Sequence, residues 1–275
     1  MNQEGREPIV DSEHLLTSPF AYLGRKVITL IREMGAMTIF FMRAFLMIFR
    51  SKQVPMIIQH IYYIGATSAT IVMMVGLFTG MVLGLELFHT LLRFGSTGVL
   101  GSAVSVALVR ELGPSLTAIM ITARAGSSMT AEIGVQRISE QIDALVTMRI
   151  NPLRYIVSPR IAASIICFPI LTTFFDLVGI LGGYFTGCVL LGLNYGTYFA
   201  RVQQSLEMED ITCGFVKSLV FAVIVATVCC FQGFFTHMRR DSYGAKAVGL
   251  STTSAVVMSC VLILVSDYVV SSLLI

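Results

Sequence analysis

Apolar residues run along this chain in long blocks separated by short charged segments. Lys52 and Glu86 bracket 33 residues without a charged side chain. That exceeds the roughly 20 a helix needs to cross the hydrocarbon core of a bilayer. The pattern predicts a first span at about 58–85 and four more at about 99–123, 161–187, 213–236 and 252–274. Five crossings put the two termini on opposite sides.

The segment before the first span follows another rule. From Arg25 to Arg50 the longest uncharged run is Met34–Met42, nine residues, too short to span. On a helical wheel Arg25, Arg32, Arg43 and Arg50 fall on one stripe, beside Thr29 and Ala36. Ile28, Leu30, Ile31, Phe41, Phe45 and Ile48 occupy the opposite face. A basic stripe against a wide apolar face predicts an interfacial helix at 25–50 lying in the headgroup layer. Residues 1–24 then form a cytoplasmic tail and 25–275 a single membrane domain. The fold class expected is therefore an all-α integral membrane protein.

Composition excludes the alternatives. The 275 residues are 55% hydrophobic and 13% charged, with a mean hydropathy of +0.81. Soluble chains carry about 25% charged residues, and disordered ones are poor in apolar groups. The net charge of +3 gives no reason to expect a nucleic-acid partner. The six cysteines, Cys167, Cys188, Cys213, Cys229, Cys230 and Cys260, lack metal-ligand spacing and lie in or at the edge of apolar stretches, as small hydrophobes do. Tryptophan is absent, so an aromatic belt must come from tyrosines such as Tyr62, Tyr63, Tyr155, Tyr195 and Tyr268 near the span ends. The polar, acidic N-terminus does not read as a signal peptide.

Charge distribution sets the orientation. Segments on alternate sides of the five spans hold 15 Lys and Arg against two. Basic residues concentrate on the cytoplasmic side, which predicts a cytoplasmic N-terminus and an external C-terminus.

Five charges fall inside the spans: Arg110, Glu111, Asp176, Lys217 and Asp267. Intramembrane charges usually face a bundle interior or a wet cavity and find partners there. Arg110 and Glu111 splay apart on their helix. The expected partners are Asp176 or Asp267 for Arg110 and Lys217 for Glu111. Asp176, Lys217 and Asp267 are thus read as a polar network; whether Arg110 is structural or meets an anionic substrate stays open. Pro114 should kink the helix just beyond these charges. Doubled GxxxG spacings at Gly76, Gly80, Gly84 and at Gly179, Gly183, Gly187 predict close backbone contact. On the cytoplasmic side, 129–150 reads as an amphipathic helix with Ile133, Ile138, Ile142 and Leu145 on one side, suited to docking a partner.

Catalytic motifs are missing. There is no GxxxxGK[ST] phosphate loop, so the chain cannot itself cradle ATP. GxSxG, HExxH and paired His/Cys sites are likewise absent, and His60, His89 and His237 stand alone. No metal, no cofactor and no enzymatic activity are expected. One class these features leave open is an ion-coupled secondary transporter using Asp176 or Asp267.

The run Arg110-Glu-Leu-Gly-Pro114, followed by Ala123-Arg-Ala-Gly126, Ala131-Glu-Ile-Gly134, Glu140-Gln141 and Pro159-Arg160, resembles the MlaE (YrbE) family of ABC-transporter permeases. GLFTGMVLG at 76–84 and Asp267-Tyr268 are similar to it as well, and the likeness covers the chain after about residue 20. It departs at Val135-Gln136 and at Glu86, an additional carboxylate near the outer mouth. The resemblance implies a homodimeric phospholipid permease in a bacterial inner membrane, with its C-terminus in the periplasm. A separate cytoplasmic ATPase would supply the energy, with an MCE-domain protein outside and a STAS-domain protein on the ATPase. It implies a coupling helix at about 131–145, carrying Glu132, Gly134, Arg137, Ile138, Glu140 and Gln141. It also implies a lipid pocket lined by Leu83, Leu91 and Phe94, with Arg110 and Glu111 deeper in.

Overall fold

The computed structural model describes residues 12–48, 53–238 and 244–274. The chain divides into two units, 1–42 and 43–275. Helix α1 runs Ser12–Ile48, beginning well before the expected interfacial segment. Arg32 and Arg43 of the predicted basic stripe are exposed, as are Ile28 and Ile31 on the other face. The stripe's outer members fall outside the description: Arg50 altogether, and Arg25 as a side chain.

Among the described residues, five helices are long and apolar enough to cross a membrane: α2 (Val54–Arg93), α3 (Thr97–Ile138), then, after a short helix α4 (Gln141–Thr147), α5 (Leu153–Leu190), and beyond a second short helix α6 (Tyr195–Ser205), α7 (Met208–Phe234) and α8 (Ala245–Leu274). No strand occurs among the described residues. The molecule is an all-α, multi-pass membrane protein.

The glycine strips meet each other. A Cβ on Gly80 would stand 1.8 Å from the Gly179 carbonyl oxygen, and one on Gly76 2.8 Å from that of Phe175. Gly84 lies against Gly183. Backbone-to-backbone contact therefore joins α2 to α5, the close approach that small residues permit within lipid. Gln53 ties the cytoplasmic ends of the same pair. Its Nε2 donates to the Arg154 carbonyl at 3.0 Å, and its Oε1 accepts from Ser158 Oγ at 3.1 Å. Around this pair the core gathers Val72, Leu108, Ile121, Met129, Phe168, Phe175, Phe221 and Ile263.

Two features depart from the expected layout. The 129–150 segment, with its 131–145 coupling helix, is not one helix. Its first half is the C-terminal end of α3, and the chain breaks at Ser139–Glu140, where Glu140 adopts φ +58. Three contacts hold the break: Ser139 Oγ donates to the Val135 carbonyl at 2.8 Å, Arg137 pairs with Asp143 at 2.7 Å, and Ile142 is fully buried. No glycine or proline marks this turn.

The second departure is α6, within a segment expected to be loop. The Asn194 side chain caps it, accepting from the Gly196 and Thr197 amides. Buried Tyr198 reaches inward to donate its hydroxyl to the Ile180 carbonyl at 3.0 Å. Helices α2 and α3 join through a three-residue turn. Gly95 there takes φ +66, and the Ser96 amide closes back on the Leu91 carbonyl at 3.0 Å.

Gly80→Ala should lower the midpoint of thermal unfolding in detergent by the equivalent of about 1–3 kcal/mol, the usual cost of overpacking. Gly98→Ala is the control, because the nearest atom to its added Cβ, Thr197 Cγ2, is 3.9 Å away.

Candidate functional site

Four of the five intramembrane charges, Arg110, Glu111, Lys217 and Asp267, converge where α3, α7 and α8 meet. Arg110 and Glu111 sit on a π-helical turn, Leu108–Leu112, inside α3. Such turns widen a helix by one residue and are common at functional sites. Pro114 follows and lacks the amide that would bond the Arg110 carbonyl four residues back. Lys217 Nζ, from α7, donates to that carbonyl at 2.8 Å.

Lys217 is fully buried, and it also contacts Glu111 Oε2 at 2.7 Å and Asp267 Oδ1 at 3.1 Å. Ser271, one turn beyond Asp267, donates to Glu111 Oε1 at 3.3 Å and to the Asp267 carbonyl at 2.8 Å. The ammonium thus donates to two oxygens of α3 and pairs with a carboxylate of α8. A buried cation is tolerated only when paired and hydrogen-bonded in this way.

Arg110 departs from expectation. Its partner is neither Asp176 nor Asp267 but Asp210, whose Oδ1 lies 2.9 Å from Nε. Span four begins at Met208, not 213, so Asp210 belongs to its first turn. A reciprocal cap with Glu207 fixes it there, its Oδ2 accepting the Glu207 amide at 3.2 Å. The signal was the Glu207-Met-Glu-Asp210 capping pattern, which opens a helix and brings its carboxylate into the membrane layer. Only the Nε of Arg110 is engaged. Its Nη atoms have no partner among the described residues, and the side chain is 40% exposed. Glu111 is similarly open, at 46%.

Asp176 stands apart from the network. A Cβ on Gly113 would fall 1.9 Å from its Oδ1, so the carboxyl is pressed against the α3 backbone. That oxygen is buried without a hydrogen-bond partner. It borders a crevice of about 200 Å³ with Val109, Thr172, Thr173, Gly214 and Ser218. Of the expected lipid-pocket residues, Leu83 and Leu91 are partly buried against the core on the outer half of α2, and Phe94 is 76% exposed at the outer turn. Glu86 is exposed on the same helix.

Around the α3–α4 turn, the six expected coupling residues separate into two groups. Glu132 pairs at 2.8 Å with Arg160, itself 3% exposed, and Gly134 is buried against Thr236 and Val248. Gly134 faces the chain's own interior, whereas Glu132, 45% exposed, also borders an open groove. Arg137 bonds Asp143, donates from Nε to His237 Nδ1 at 2.9 Å, and lies over the Phe234 ring. Burial and the Arg137 charge hold the His237 pKa below its ordinary value, so the imidazole accepts as a neutral base. Ile138, Glu140 and Gln141 are exposed around the turn, with Val146, Met148 and Ile150 nearby. No cluster of metal-ligating side chains occurs among the described residues.

Five apolar crossings organised about a buried ion network define a polytopic transport subunit rather than a membrane anchor. The chain belongs to the MlaE permease family, whose model, described as "Permease MlaE", matches residues 57–273. It is 33% identical to the "Intermembrane phospholipid transport system permease protein MlaE" of Haemophilus influenzae, over 92% of this chain and 95% of that one. A "Probable ABC transporter permease protein" of Rickettsia bellii is 37% identical over 91% and 95%. The Arabidopsis thaliana protein "TRIGALACTOSYLDIACYLGLYCEROL 1, chloroplastic" is 33% identical over 78% of this chain and 60% of its own length.

Lys217→Ala removes the counter-charge from two carboxylates and should destabilise the protein by about 3–5 kcal/mol, as loss of one partner of a buried ion pair does. The expected readout is aggregation or a sharply lowered melting midpoint in detergent, with Glu111→Gln milder because that side chain is half exposed.

Proposed function

We propose that the chain is the membrane permease of an ABC transporter that moves phospholipid between a bacterial inner membrane and an MCE-domain partner outside it. The carrying observation is Arg110, held by Asp210 through Nε alone, with its Nη edge open in the outer half of an apolar bundle. A guanidinium presented in that way fits a phosphate oxygen pair. Leu83, Leu91 and Phe94, on the outer part of α2 and its turn, supply apolar surface for acyl chains. The printed role of the Haemophilus relative, intermembrane phospholipid transport, supports the same substrate class.

In this reading two copies assemble side by side, and lipid occupies the space between them. ATP is bound and hydrolysed by a separate cytoplasmic subunit, on which a STAS-domain protein can sit. That ATPase docks on the exposed turn at Ile138, Glu140 and Gln141 and on the apolar side chains of α4 and its C-terminal end. Closure of the ATPase pair pushes the turn, and α3 carries the displacement to Arg110 along one continuous helix. The 15-to-two division of basic residues supports a cytoplasmic N-terminus and a periplasmic C-terminus.

Arg110→Ala and Arg110→Glu should both reduce co-purifying phospholipid, by about tenfold if one charge-assisted contact is lost. Unchanged lipid in both variants removes Arg110 from substrate binding. Glu140→Arg and Ile138→Asp should release the co-purifying ATPase while leaving the permease folded; a carrier driven by an ion gradient has no ATPase to lose.

A further inference from the structure

The cytoplasmic half of the bundle carries a second cation that the outer network does not use. Arg124 sits on another π-helical turn of α3, Thr122–Gly126, and faces α2. One nitrogen, Nη1, donates to the Thr67 hydroxyl and, at 3.3 Å, to buried Ser68 Oγ. Thr67 in turn donates to the Tyr63 carbonyl, so its lone pairs are left to hold the guanidinium. No carboxylate pairs with Arg124 among the described residues, and its Nε and Nη2 have no partner there.

One turn toward the cytoplasm, Tyr63 and Ser128 share a hydrogen bond across the same two helices. A further turn on lie Gln59, His60 and Glu132. With Tyr62, Tyr63, Ser128, Ala131 and Val135, these three line an open groove of about 590 Å³. The seam repeats every four residues on both helices, 59/60–63–67 on α2 and 124–128–132 on α3, so its polar members share one face. From Arg124 to Glu132 it covers about 12 Å of helix.

Its depth matches a headgroup layer. Arg124 follows Arg110 by 14 residues, about 21 Å along α3, which separates the two cations by most of a hydrocarbon core about 30 Å thick. Tyr62 and Tyr63 are exposed at the groove, where amphipathic rings sit at a membrane–water boundary. Beyond Thr67 the same helix continues outward with exposed Ile71, Met74 and Phe78, an apolar track for acyl chains.

Resting on the phospholipid reading above, we infer that the α2–α3 groove is a second lipid site. It takes the phosphodiester of a cytoplasmic-leaflet phospholipid against Arg124, with the headgroup in the wet groove and the chains along Ile71, Met74 and Phe78. The transporter then has one phosphate seat in each leaflet, both on α3.

The test uses the full chain in phosphatidylethanolamine/phosphatidylglycerol vesicles with a trace of phosphatidylglycerol bearing a photoactivatable diazirine beside its phosphate. Adducts are mapped by peptide mass spectrometry. Two sets are expected: an inner one within 59–74 and 124–135, and an outer one within 83–94 and around Arg110. Arg124→Gln should cut the inner set by about tenfold, Arg124→Lys should retain most of it, and the outer set should stand in both. Ala131→Phe, which fills the groove without touching Arg124, should also remove the inner set, and the surviving outer adducts report that the variants are folded. Millimolar inorganic phosphate should not compete. Inner adducts that are absent, or unchanged in Arg124→Gln and Ala131→Phe, overturn the inference while leaving the outer site standing. Competition by inorganic phosphate overturns it in favour of a free-phosphate site. Absence of both sets rejects the phospholipid reading itself.

Discussion

A single ammonium group organises the outer half of this protein. Lys217 has no exposed surface, so its charge must be met by protein oxygens or the bundle cannot form. Glu111 and the Arg110 carbonyl come from α3, and Asp267 comes from α8. Three helices are thereby fixed in register by one atom. Pro114 is part of that arrangement, because the carbonyl it leaves without an amide partner is the one Lys217 takes. A proline that weakens an isolated helix here leaves a carbonyl for its neighbour to use.

The same constraint explains why Arg110 and Glu111 can remain half exposed. Each is anchored from one side, by Asp210 or by Lys217 and Ser271, and presents its other side to the bundle surface. Tethering of this sort orients a charge without neutralising it completely. It is the arrangement expected where a polar ligand must be met inside lipid.

Much of this was legible in the residue pattern. The five apolar blocks, the glycine strips and the Lys217–Glu111 pair are each written in spacing or in the cost of an unpaired charge. Four things were not. Asp210 looked like loop because the apolar run starts after it, and only the capping pattern betrays that the helix begins earlier. The turn at Ser139–Glu140 lacks glycine and proline, and tertiary contacts by Arg137 and Ile142 impose it on residues that otherwise favour helix. Asp176 was expected to find a cation because charges in membranes usually do, yet Gly113 packs against it more closely than any cation does. Helix α6 is held by Tyr198, whose inward hydroxyl bond has no signature in a single sequence.

The contact between Gly80 and Gly179 also bears on how the protein can move. Two backbones in van der Waals contact have no side chains to re-pack between them, and with the Gln53 tie below they form one stiff beam from α2 and α5. Helix α7 also packs its Gly214 and Gly233 on the α3 backbone, but the ion pairs of Lys217 with Glu111 and Asp267 form a junction among α3, α7 and α8 that can lengthen or exchange partners. Motion within this chain is therefore expected to be uneven: a stiff beam on one side, and an adjustable, charge-laced joint on the other.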